Sequence, residues 1–222
     1  MTMIRMKLVI GFFVAGCVAV RSQEPSALTD REIAALVEFL VSPNAAPKTK
    51  ESTAVWPPGF DVGEQRKVHG AYERLLNAGM PAIPHLLQRE KDDRYCLTVR
   101  YDSEKNMSVA SVCREIVVSQ LQPFGPFTVE SKYQGKREWR PWYPEAFLAD
   151  GKAAAWWEKN KHKSLYQVQL EVVEWVILEE SKQPTKYSEQ EKKHLQEIRK
   201  ELVEGGQPLK SGRIPLALPN KR

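Results

Sequence analysis

Leu75-Leu76-Asn77-Ala78-Gly79-Met80-Pro81-Ala82-Ile83-Pro84-His85-Leu86-Leu87, running on to Asp92-Asp93, is the stretch whose reading decides the fold. Asn77 and Gly79 are residue types that accept the left-handed backbone with which helices end. Pro81 has no backbone N–H to lose and a preset φ, which suits the first turn of a new helix. The two leucine pairs therefore belong to two helices joined by a tight corner. Upstream, Val68, Tyr72, Leu75 and Leu76 share one face of a helix expected over about 63 to 77. Downstream, a short helix passes through Leu86 and Leu87.

Toward the amino end, Thr29-Asp30-Arg31-Glu32 has the form of a capping box, in which hydroxyl and carboxylate satisfy each other's backbone donors. Ile33, Leu36, Val37, Leu40 and Val41 continue it as one apolar stripe, so a helix is predicted over 29 to 41. Four prolines among Lys, Thr and Ser make residues 42 to 60 read as a surface loop anchored by Trp56. Toward the carboxyl end, Tyr95 to Tyr101 is the one β-like run, followed by a turn-rich stretch that fits an edge hairpin or an extended loop. Ser108 to Leu121 reads as a helix with Val109, Val112, Cys113, Ile116, Val117 and Leu121 inward.

Pro and Gly deny regular structure from 123 to 144, and helices resume at about 145 to 159. Ser164 and Gln167 open another capping box, and the broad apolar front from Leu165 to Leu178 marks the central helix of the core. A last helix from Ser188 to Gly205-Gly206 carries only Leu195, Ile198 and Leu202, the stripe of a surface helix. Beyond it Lys210, Arg213, Lys221 and Arg222 stand without an acid. The expected plan is a leader over 1–22, a mainly α domain of about five to seven helices over 23–204 with long Pro-rich loops, and a loose basic tail over 205–222.

The unit from Leu75 to Asp93, with its leucine pair, glycine turn, Ala-Ile-Pro entry, second leucine pair and acidic end, resembles a HEAT-like helical repeat. The chain as a whole resembles exported bacterial proteins built around such a unit. Export is also what the first residues imply. Arg5 and Lys7 precede an apolar run from Leu8 which, even continued to Val20, is about thirteen residues against the roughly 20 a membrane-spanning helix needs. Val14-Ala15-Gly16-Cys17 resembles the lipobox of bacterial lipoproteins, which implies acylation of Cys17 and a membrane-anchored product. The alternative is cleavage after Ser22, with Cys17 lost and the product periplasmic.

Composition agrees with a folded globular chain: 42% hydrophobic and 27% charged among 222 residues. The formal charge of +5 loses two when Arg5 and Lys7 leave with the leader, so nucleic acid is not expected as a partner. Of three cysteines, Cys96 and Cys113 remain after Cys17 is processed, either as a disulfide of the oxidising compartment or as two buried free thiols.

The richest local chemistry lies in Lys132 to Tyr143, where Lys136, Arg137 and Arg140 alternate with Trp139, Trp142 and Tyr143. Rings beside guanidinium groups suit sugar faces or an extended peptide, which for an exported chain means an envelope protein or cell-wall glycan or peptide. The competing reading folds these rings back onto the helices. Trp156 and Trp157 point about 100 degrees apart on a helix, so one ring is expected in the core and one half-exposed. His69, His85, His162 and His194 lack the spacing of a zinc site, and neither a nucleophile elbow nor a phosphate loop is present, so no cofactor is expected. The functional expectation is an exported interaction or scaffold module that binds rather than catalyses, with the 132–143 loop and the Trp156–Trp157 pair in its contact surface. The alternatives are an envelope enzyme such as a glycan hydrolase with dispersed catalytic residues, and a structural spacer.

Overall fold

The computed structural model describes residues 28–50, 53–100, 103–124, 143–148, 151–182 and 188–219. It is mainly helical, with two small antiparallel hairpins. Helix α1 (Asp30–Glu38) leads to the hairpin β1 (Lys48–Lys50) and β2 (Thr53–Val55). Helix α2 (Val62–Leu76) turns through a 3-10 turn at Met80–Ala82 into α3 (Ile83–Leu87). The second hairpin, β3 (Tyr95–Arg100) and β4 (Glu104–Ser108), feeds α4 (Val109–Leu121). Helices α5 (Tyr143–Leu148), α6 (Ala153–Asn160), α7 (Leu165–Lys182) and α8 (Ser188–Gly205) complete the order.

Local chemistry sets the ends of these elements. The Thr29 box is formed on both sides, with Glu32 N–H donating to Thr29 and Thr29 N–H to Glu32. Asp61 caps α2 by accepting from Gly63 and Glu64, and Ser164 and Gln167 cap α7 reciprocally. The corner is carried by Gly79 at φ +69°, where a side chain would be strained whatever the space around it. Behind it, Leu75, Leu76, Ile83 and Leu86 enter one core with the inward faces of α1, β3, α4 and α7. All six residues expected inward on α4 are buried. Eight helices stand among the described residues rather than five to seven, in part because Gly151 at φ +74° separates α5 from α6.

Helices that end inside a core leave carbonyls without partners, and an unmade buried hydrogen bond is costly. Two fully buried glutamines donate at such ends, and a third donates to a strand carbonyl. Gln120 of α4 donates to Leu75 O at 2.8 Å and Leu76 O at 3.3 Å, at the end of α2. Gln169 of α7 donates to Gln120 O at 2.7 Å, near the end of α4, and grips Leu209 through both N–H and C=O. Gln65 of α2 donates to Cys96 O of β3 at 2.7 Å and accepts from Ser42 Oγ at 2.7 Å.

Three expectations need correction. Residues 48–50 and 53–55, expected within a surface loop, pair as a hairpin because Asn106 reaches Pro47 O and Glu104 accepts from Ala54 N–H, fixing it against β4. The front of α7 is narrower than expected, for Leu178 is exposed. The tail expected to be loose is docked over its described part. Arg100 N–H donates to Pro215 O and Ala217 N–H to Thr98 O, both at 2.8 Å, with Ile214 and Ala217 buried behind the bridge between Val99 and Leu216.

None of the described helices is long and apolar enough to cross a membrane. Replacing Gln65 with Leu should lower the unfolding free energy by about 1–3 kcal/mol, because Cys96 O and Ser42 Oγ are left buried without their partner. Urea unfolding followed by tryptophan fluorescence measures this, and an unchanged midpoint would contradict it.

Candidate functional site

Lys136, Arg137, Trp139, Arg140 and Trp142 lie outside the described residues, as does Cys17. Tyr143 and Trp156, expected on the same binding surface, are both buried. Trp156 Nε1–H donates to Tyr143 Oη at 3.0 Å, and Tyr143 N–H donates to Gln122 Oε1 at 3.1 Å. Tyr143 stacks on Phe147 with centroids 4.3 Å apart, and Trp175 meets both rings edge-on at 5.5 Å. The correction has a plain physical cause: the polar tips of these rings find partners inside, so their apolar bodies pack as core. Burial pushes the Tyr143 phenol above its ordinary range. Trp157 is half-buried against the same core, the division of labour expected of adjacent helical rings.

Of the two readings of Cys96 and Cys113, the structure has the free, buried thiols. They lie on β3 and α4, and burial pushes both upward, Cys113 to about 12. A thiol so far from its thiolate is a poor nucleophile and a poor metal ligand.

Among the described residues, side chains from separate elements build a cleft between α1 and α3, of about 360 Å³, lined by Ala34, Ala35, Val37, Glu38, His85, Gln88 and Arg89. Its geometry follows from helical spacing. Asp30, Ala34 and Glu38 form one i, i+4, i+8 row on α1, and His85 and Arg89 form an i, i+4 pair at and just beyond α3. His85 Nε2 lies 2.8 Å from Asp30 Oδ1, and the Arg89 guanidinium contacts Glu38. These are two clasps joining the helices. Between them Ala34 has only a methyl group to offer, and the missing side chain opens the cleft.

Charges on the rim are already matched. Arg89 also faces Asp92 at 3.7 Å, and Asp92 is bound by Arg94 at 2.6 Å. The Arg94 hydrogen bond holds the Asp92 carboxyl below the usual carboxylate range, against the opposing effect of burial. His85 spends its Nε2 on Asp30, whose side chain is 90% exposed, so the pair is a solvated clasp rather than an oriented base. Phe39, at the end of α1, is 58% exposed next in sequence to Glu38. Among the described residues no group of three or more His, Cys, Asp or Glu is placed to hold a metal ion.

Sequence reasoning singled out His85 only as a histidine without zinc spacing and passed over Glu38 and Arg89. The 30–34–38 row with an alanine at its centre was the available signal. Its meaning depends on which helix faces it. No protein-family model, no curated protein and no solved structure matches the chain.

In the folded protein Cys96 and Cys113 should resist a thiol reagent near neutral pH and react once urea is added. Peptide mass mapping of the labelled positions reads this out, and rapid labelling without urea would contradict the buried placement.

Proposed function

We propose that this chain is an exported interaction module that works by binding and seats a segment of an envelope protein in the α1–α3 cleft. The observation that carries the reading is the cleft itself. At about 360 Å³ it falls at the small end of ligand sites. Its floor is made of Ala34, Ala35 and Val37, while Glu38 and Arg89 beside it pair with each other and His85 is engaged by Asp30. A free anion or cation would have to break an existing pair to gain one. An apolar side chain carried on a peptide meets the floor without that cost, and the Gln88 amide offers hydrogen bonds to its backbone. In this reading the α2–α3 corner is a HEAT-like helical unit, and the first 22 residues are the leader that takes the chain to the envelope.

The hydrolase alternative needs two carboxylates facing each other across a cleft about 5 to 9.5 Å apart, one of them free to give up a proton. Of the acids near this cleft, Glu38 is held by the Arg89 guanidinium and Asp30 lies on His85 at the rim.

Ala34→Arg tests the proposal, since it fills the cleft from a half-buried position with a residue that favours helix. Capture of envelope protein by the immobilised chain should fall about tenfold or more, worth about 1.4 kcal/mol. The melting temperature should stay nearly unchanged. Trp139→Ala with Trp142→Ala is the comparison. Loss of capture there, with Ala34→Arg binding as before, would place the contact in the 132–143 loop and refute the cleft.

A further inference from the structure

The docked segment near the carboxyl end is held against α2 by Tyr72 and Glu73, and a third side chain beside them, His69, has an unmet need. Tyr72 is fully buried and accepts the Ile214 N–H at 3.1 Å. Glu73 pairs with Arg213 at 3.0 Å. His69, one turn earlier on the same face, stacks on Tyr72 with centroids 5.7 Å apart, and among the described residues its Nε2 is buried without a hydrogen-bond partner. A neutral imidazole tolerates that position. An imidazolium there would carry a buried N–H donor with nothing to receive it, near the Arg213 guanidinium.

We infer that protonation of His69 releases the segment around 213–217, which makes this strap a pH-gated cover over the outer edge of β3. What it uncovers is the backbone of Thr98 and Arg100, now bonded to Ala217 and Pro215. An open strand edge of this kind accepts an extended chain.

The charged groups around His69 fix the direction. Burial holds its imidazole below the ordinary value, Glu73 on the same helix opposes that, and Arg213 on the strap adds to it. The docked form therefore binds fewer protons than the released form. Docking is at full strength above the ordinary imidazole pKa of about 6.5 and weakens as pH falls from there toward the depressed native value, by at most about tenfold per pH unit. On α4, Glu115 faces Tyr72. Burial raises its carboxyl, with the Ser119 hydroxyl opposing, so it favours the folded state as pH falls. Its sign is opposite, and it cannot imitate the effect.

The test is amide exchange at Ile214 and Ala217 in the full chain, corrected for intrinsic rates, from about pH 7.5 to about pH 5.5. Protection at these two positions should fall by up to about tenfold per unit below the imidazole pKa, while Leu75 and Ile116 keep theirs. His69→Gln should be flat over the range, and Glu115→Gln should fall as the wild type does. The wild-type His69 ring gives a second readout that needs no variant to assign its sign. Its NMR titration midpoint should lie below about 6.5 and move toward that value in Arg213→Gln. Flat wild-type protection, an equal fall in His69→Gln, or an unshifted midpoint would each overturn the inference.

Discussion

Gln169 holds together parts of the chain that share no regular structure. Its amide nitrogen serves the carbonyl of Gln120 and that of Leu209, while its oxygen takes the Leu209 N–H. Gln120 in turn reaches the last carbonyls of α2. Helices in a small irregular domain must stop somewhere, and here α2 and α4 stop inside the core, where water is not at hand to satisfy them. Gln120 answers the end of α2, and Gln169 answers that of α4. This linked arrangement sets where α2, α4, α7 and the strap meet.

The same constraint reaches the surface. Gln65 receives the Ser42 hydroxyl and the Asn44 amide, so the chain leaving α1 is tied to α2 and β3. With α1 tied there, its 30–34–38 row is presented to His85 and Arg89, and Ala34 leaves the cleft between the two clasps. The proposed site is thus a by-product of how α1 is anchored rather than of any local motif. The strap depends on the network at its other end, through Leu209.

What could be read from the residues alone was what neighbours in sequence decide. The Thr29 and Ser164 boxes, the Gly79 corner and the inward face of α4 are all local patterns, and each is formed. What escaped was decided at long range. The β1–β2 hairpin has no alternating apolar face, because only Ala54 is buried, and its hold comes from Glu104 and Asn106. The strap offers isolated apolar residues, Ile214 and Ala217, whose partners are a tyrosine and a strand edge more than a hundred positions earlier. Glutamine carries no periodic signal, so the three that organise the core look in sequence like ordinary polar residues. Tyr143 misled for the opposite reason. An aromatic among cations suggests a binding surface, yet the hydrogen bond it receives from Trp156 allows it to be core.

The measurement that bears most directly on this account is urea unfolding of Gln169→Leu. Leucine is similar in size and more apolar, so if the core were held by hydrophobic burial alone the variant should be as stable as the wild type or more so. If the linked carboxamides organise the fold, the substitution orphans Gln120 O and both backbone groups of Leu209, and the unfolding free energy should fall by at least about 2 kcal/mol. Amide protection at Leu209 should be lost with it. An unchanged or raised midpoint with Leu209 still protected would contradict the account.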